Sequence, residues 1–304
     1  MRDTPTNEHA TRVAVIGSGH VGATTAYALV LSGAAREVVL IDRDRGRAEG
    51  EAMDLQHAAA FARPVRVWAG DYADAGRADI AVIAAGAGGR PGETRLDLLG
   101  RNVVVIRESM RELLAAGFGG VVLMTTNPVD VLAQVAQEES GLPVARVIGS
   151  GTVLDTARLR AMLGERLGLE ARSIHAYVIG EHGDSEIAAW SSARVAGVPL
   201  GDYCDAVGQR IDFDELLGHV RRAAPEIIRH KGYTSVAIAS CVARVCEAIL
   251  RDEQTVLPVS TMTTGQHGVG GVYLSLPCVV GRGGVGRVIE LPLDEDERAG
   301  LRAS

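Results

Sequence analysis

The chain has one lysine, Lys231, among 31 lysine and arginine residues. Arginine is therefore the general-purpose cation here, and no single arginine counts as functional without a local reason. A basic excess is also missing. The formal net charge is −7, with 23% charged residues and no long block of one sign, which excludes an extended nucleic-acid surface. Cysteine is scarce: Cys204, Cys241, Cys246 and Cys278 form no CxxC pair and sit among apolar residues. That pattern argues against a zinc site or a disulfide framework and for buried thiols in a reducing compartment. No uninterrupted apolar run reaches bilayer length, and the opening MRDTPTNEHA lacks the apolar core of a signal peptide. A cytoplasmic protein without membrane or nucleic-acid partners is expected. Low-complexity linkers and solenoid repeats are missing as well.

What is present is an alternation. Short apolar runs (TRVAVI, EVVLI, VRVWAG, DIAVIAAG, VVLMTT, RVIG) alternate with helical patterns as far as residue 149. Each run is apolar throughout, as in a parallel sheet covered on both faces. The spacing predicts an α/β fold with a doubly wound parallel (Rossmann) sheet over residues 1–149. Residues 150–304 change character and predict a second, α+β domain. It would contain helices at 152–167, 211–230 and 234–251, a strand SIHAYVIG, and short strands VLPVS, GVYLSLP and RVIEL between Gly-rich turns. With 47% hydrophobic residues, the chain can bury two such units.

Gly17-Ser18-Gly19-His20-Val21-Gly22 follows the first strand and opens the first helix. In that context GxGxxG is a dinucleotide signature. Gly17 allows the turn, Gly19 allows backbone to approach a pyrophosphate, and Gly22 allows close helix–strand packing. Asp42 closes the second strand, where a carboxylate holds ribose hydroxyls and repels a 2′-phosphate. NAD is favoured over NADP, although the neighbouring Arg43 softens that preference. Asn127, before Pro128 at the end of the fifth strand, reads as a ligand contact or as a turn initiator.

His182 stands between glycine-bearing neighbours in IGEHGDS, where a histidine can serve as general acid and base near neutral pH or can be structural. Asp155 and Arg158 in LDTARLR share one helical face. A buried aspartate can hold a histidine protonated, and an arginine can grip a carboxylate. An ordinary intrahelical ion pair fits the same spacing. His57, His219 and His230 lack ligand spacing with a carboxylate, so no metal is expected.

The pieces GSGHVG, LIDRD, GRPGETRLDLL, TTNPVD, GSGTVLDTARLR, IGEHGDS and KGYTS run in order along the chain. In these it resembles the lactate/malate dehydrogenase family, and within it the bacterial lactate enzymes. The resemblance implies an NAD-dependent L-2-hydroxy-acid dehydrogenase, of the lactate type, built as a homotetramer. It implies that His182 exchanges a proton with the 2-oxo oxygen and that Asp155 orients the imidazolium. Arg158 would hold the substrate carboxylate. Arg95, on the loop AAGAGGRPGETR, would polarise the carbonyl when the loop closes over the site and excludes water. Asn127 and Thr234 would line the substrate site. Val21 would belong to the cofactor loop, and Ile238 would pack by the nicotinamide. Arg160 and His175 match the positions that bind fructose 1,6-bisphosphate at a subunit interface.

One departure concerns Gly89. Relatives that reduce pyruvate usually carry glutamine there, and those that reduce oxaloacetate carry arginine. Gly89 opens a wall of the side-chain pocket. Branched-chain 2-oxo acids, and oxaloacetate through Arg90, therefore remain open as substrates, while Thr234 is the lactate-type residue. A non-catalytic NAD-binding protein on the same fold is disfavoured by the intact His182, Asp155, Arg158 and Arg95. The chain's last residues, LDEDERAGLRAS, open a helix that in the family packs near the active site.

Overall fold

A computed structural model describes residues 10–87 and 95–304, the side chain of Arg95 excepted. The first half alternates as the apolar runs require: β1 (Arg12–Ile16), α1 (His20–Ser32), β2 (Glu37–Ile41), α2 (Arg45–Ala58), β3 (Arg66–Ala69), α3 (Tyr72–Ala75), β4 (Ile80–Ile83), α4 (Arg95–Ala115), β5 (Val121–Met124), α5 (Val129–Ser140) and β6 (Val147–Gly149). All four residues of β4 and of β5 are buried, because helices cover both faces of the sheet. The six strands pair in parallel in the order β3-β2-β1-β4-β5-β6. The order reverses between β1 and β4, and the crevice outside the strands' carboxyl ends at that switch is where such sheets bind ligands.

The second half contains α6 (Val153–Leu167), β7 (Ile174–His175), β8 (Val178–Ile179), β9 (Ile187–Ala188), β10 (Arg194–Val195), β11 (Val198–Pro199), α7 (Leu200–Ala206), α8 (Phe213–Lys231), α9 (Val236–Leu250), β12 (Thr255–Thr264), β13 (Gly270–Gly281), β14 (Gly284–Val288) and α10 (Glu295–Ala303). Two expectations need correction. The single strand SIHAYVIG is two short strands, each paired with a different partner: β7 with β10, and β8 with β9. The short strands expected after residue 255 are instead two long strands and a short one. They do not form a sheet of their own. β12 joins β6 antiparallel through Ser260 and Gly149, so β12, β13 and β14 extend the first-half sheet to nine strands. Local pattern cannot reveal this, because the pairing spans more than a hundred residues.

The helix α9 packs across α1 and joins the main core with Val242, Val245, Cys246 and Ile249. All four cysteines are buried free thiols. Burial pushes the Cys241 thiol up to about 12 and raises that of Cys246 as well, which makes them packing residues rather than nucleophiles. Among the described residues no helix is long and apolar enough to cross a membrane.

Candidate active site

The glycine loop comes first. Gly17 has φ +98°, and a side chain there would collide with the backbone of Ala84 and Ala85; at Gly22 a Cβ would lie 1.8 Å from the Gly17 carbonyl oxygen. Both positions are closed to larger residues. Gly19 differs: a Cβ there would meet nothing within 4 Å. Its open face lies at the N-cap of α1, where unpaired backbone N–H groups favour an anion. Val21 is half-buried in the first turn of α1.

Asp42, at the end of β2, accepts hydrogen bonds from the Ser18 amide (2.6 Å) and the Asp44 amide (2.9 Å). It thereby ties the loop to the strand and keeps lone pairs for ribose hydroxyls. An open glycine turn at a helix N-terminus, beside a carboxylate at the end of β2, fits NAD.

The second half closes the crevice. His20 stacks on Tyr233 with ring centroids 3.9 Å apart, which brings the α8–α9 connection over the start of α1. Thr234 follows Tyr233 and is half-buried. Ile238, in the first turn of α9, packs on the main core. Asn127 is exposed beyond β5, joined to Pro128 by a cis peptide bond. Its carbonyl accepts from the Asn102 side chain at 3.2 Å, and the Asn102 oxygen accepts from the Ala87 amide at 2.7 Å. Asn102, buried on α4, thus fastens two of the strand-end loops. Gly89 lies outside the described residues, as does the Arg95 side chain.

His182 lies in the turn after β8, and that turn is anchored from four sides. The Thr152 hydroxyl donates to the Val178 carbonyl (2.6 Å), and the Val178 amide donates to the Thr156 hydroxyl (2.9 Å), binding β8 to α6. Gly180 exchanges backbone bonds with Ser275 of β13. The Glu181 amide donates to the Ser304 hydroxyl beyond α10 (2.7 Å). The His182 amide donates to Asp130 on α5 (2.8 Å).

This anchoring sets the His182 Nδ1 2.7 Å from one oxygen of Asp155. The other Asp155 oxygen accepts from Arg158 Nη1, also at 2.7 Å. The aspartate side chain is 3% exposed, while those of Arg158 and His182 are 13% and 25% exposed. The helical ion pair open in the sequence does form, and the same carboxylate also holds the histidine. With Nδ1 on Asp155, Nε2 is the ring nitrogen left to meet a ligand. Arg158 keeps further N–H groups for an anion.

Burial works to lower the His182 pKa. The Asp155 hydrogen bond and charge, with the charges of Glu186 and Asp130, outweigh it, and the net shift is upward. The site favours the protonated imidazole, next to a guanidinium.

Two acids escaped the sequence reading. Asp130, buried in the first turn of α5, is pushed up by burial; its signal was its place in TTNPVD. Glu186 begins the approach to β9 and is 1% exposed. Burial first, and then the Asp155 charge, push it up to about 8. Nothing local distinguishes it from a surface glutamate. Asp155, His182 and Glu186 bring ligand atoms within 4.8 Å of one another. A metal would compete there with the bonds Asp155 already makes to His182 and Arg158.

Arg160 reaches the backbone of the residue that follows His175. The Arg160 Nε donates to the Ala176 carbonyl (2.8 Å), and its guanidinium lies 4.8 Å over the Tyr177 ring. His175 is exposed on β7, opposite Arg194.

Residues 11–149 match the lactate/malate dehydrogenase NAD-binding domain, and residues 152–304 match the lactate/malate dehydrogenase alpha/beta C-terminal domain. An L-lactate dehydrogenase of Thermoanaerobacter sp. (strain X514) is 49% identical over 296 residues, covering 96% of this chain and 95% of that protein. One from Shouchella clausii is 48% identical over 301 residues, covering 98% and 93%. Among solved structures, the minor L-lactate dehydrogenase from Enterococcus mundtii in its ligands-bound form superposes with a TM-score of 0.94 at 39% identity, covering 97% of this chain and 95% of that one. A lactate dehydrogenase, MGS-M5, from a deep-sea metagenome library gives 0.94 at 43% identity with the same coverage.

Proposed function

The chain belongs to the lactate/malate dehydrogenase family, and from that premise we propose that it is an L-lactate dehydrogenase, reducing pyruvate to L-lactate with NADH, reversibly. The observation that carries this reading is the buried carboxylate of Asp155, shared between His182 and Arg158. A 2-oxo acid offers a carboxylate and a carbonyl on adjacent carbons, and this site offers a guanidinium and a proton donor side by side. Arg158 binds the carboxylate. His182, held by Asp155 through Nδ1, directs its Nε2 proton to the carbonyl oxygen and takes it back in the oxidative direction. NAD, when bound, would supply or accept the hydride. As the family resemblance implies, Arg95 would polarise the carbonyl, and a charge so used in a water-poor site contributes about 3 kcal/mol, the scale of an oxyanion donor. Asn127 and Thr234 would line the substrate pocket, and Ile238 would lie beside the nicotinamide.

The proposal extends to regulation and assembly. Arg160, which bonds the Ala176 carbonyl, and the exposed His175 provide cationic and hydrogen-bonding groups suited to a sugar phosphate. Fructose 1,6-bisphosphate binding there, at an interface of a homotetramer, would favour the active form.

The test is kcat/KM with NADH for pyruvate, 4-methyl-2-oxopentanoate and oxaloacetate, with and without fructose 1,6-bisphosphate. Pyruvate leading, with a lower KM when the bisphosphate is present, supports both parts. The branched acid leading makes Gly89 the determinant of substrate and rejects the lactate assignment. Oxaloacetate leading makes the enzyme a malate dehydrogenase. An inert bisphosphate rejects the allosteric part alone.

A further inference from the structure

Behind the catalytic pair lies a carboxyl group with no role in the mechanism above. Glu186 is 1% exposed, and its Oε1 has no hydrogen-bond partner. A buried, unpaired carboxylate oxygen is costly in a folded protein. Retaining one within 4.8 Å of the Asp155 and His182 ligand atoms places the cost at the proton-transfer site. The charged groups around it come from three directions. Asp155 and Arg158 face it from α6. His182 faces it from its own loop, and Arg221 from α8, where the Arg221 guanidinium donates to the Glu186 backbone carbonyl. Asp130, on α5, accepts from the His182 amide and adds its charge to the imidazole's surroundings.

We infer that Glu186 is a positioning residue for the proton: its carboxyl ionises in concert with His182 and supplies the second negative charge that keeps the imidazole charged for reduction. The inference rests on His182 being the proton donor to a 2-oxo acid. Near neutrality Glu186 is a neutral acid, since burial first, and then the Asp155 charge, push it up to about 8. As the solution turns alkaline, Glu186 and His182 lose their protons as one coupled pair. The Glu186 carboxylate favours the His182 imidazolium, in the direction its charge already acts. The result is a buffer within the site: the donor stays charged to a higher pH than Asp155 alone would hold it.

The experiment is the pH profile of kcat/KM for pyruvate at saturating NADH in the wild type and in Glu186→Gln. Turnover in the wild type establishes the parent reading independently. In Glu186→Gln the alkaline limb is expected to move about one pH unit down, a loss of about tenfold above that limb, with a much smaller change on the acid side. An equal loss at every pH, or superimposable limbs, overturns the inference and leaves Glu186 a packing residue. Should this variant fail to fold, the wild type alone decides. Affinity of its NADH complex for oxamate, an unreactive 2-oxo acid analogue, is expected to fall in a partial step and then a complete one as pH rises. A single step overturns the proposal.

Discussion

Asp155→Asn removes one charge and leaves the shape of the site nearly unchanged. In the folded protein that charge accepts two bonds of 2.7 Å, from His182 and from Arg158, in a side chain 3% exposed. A hydrogen bond to a charged partner contributes about 1.5–3 kcal/mol, and about 1.4 kcal/mol is a factor of ten. Losing the imidazolium's partner should therefore lower kcat/KM for pyruvate by roughly 10- to 100-fold near neutrality. The loss should depend on pH. Burial lowers the His182 pKa, and Asp155 supplies the main contribution that raises it. Without Asp155 the imidazole loses its proton at lower pH, and the deficit should grow from acid to alkaline conditions. Stopped-flow NADH oxidation from pH 5.5 to 9 separates this from a packing defect. A pH-independent deficit, or an unchanged alkaline limb, would refute the idea that Asp155 holds the proton on His182.

Arg158→Lys keeps the charge but removes the planar fork, so KM for pyruvate should rise about 10- to 100-fold while NADH binding, followed by fluorescence, stays unchanged. Asp42→Ala removes both the ribose acceptor and the tie to the Ser18 amide; Kd for NADH should rise about tenfold, and the preference over NADPH should shrink in parallel titrations. Stability should also vary with pH, in a direction set by two groups. The raised pKa of His182 contributes stability that is complete below the ordinary histidine range and lost as pH rises through its folded value. Glu186, raised from 4.5 to about 8, costs stability increasingly between those values. Thermal unfolding should therefore show Tm falling from pH 5.5 to 8.5, and Glu186→Gln should flatten that slope; a Tm rising over this range would contradict both assignments.

Local and stereochemical features were legible in the residue order. Six apolar runs separated by amphipathic helices leave a doubly wound parallel sheet as the way to cover both faces. GSGHVG after a strand specifies a turn that no side chain at Gly17 or Gly22 can share. Asp155 and Arg158 were bound to share a face because a helix places them there. These features follow from backbone sterics and short-range periodicity, which are written in neighbouring residues.

What distant segments do to one another became visible in the folded chain. It took β13 and α6 to pin the β8 turn so that His182 meets the Asp155 oxygen not taken by Arg158. It took the β6–β12 pairing to fuse the late strands into the first-half sheet. Glu186 shows the limit most plainly. Its neighbours in sequence are ordinary, and its chemistry comes entirely from burial against α6 and α8. Desolvation and Coulomb energy depend on the distances between groups in space, and a sequence states only the distances along the chain.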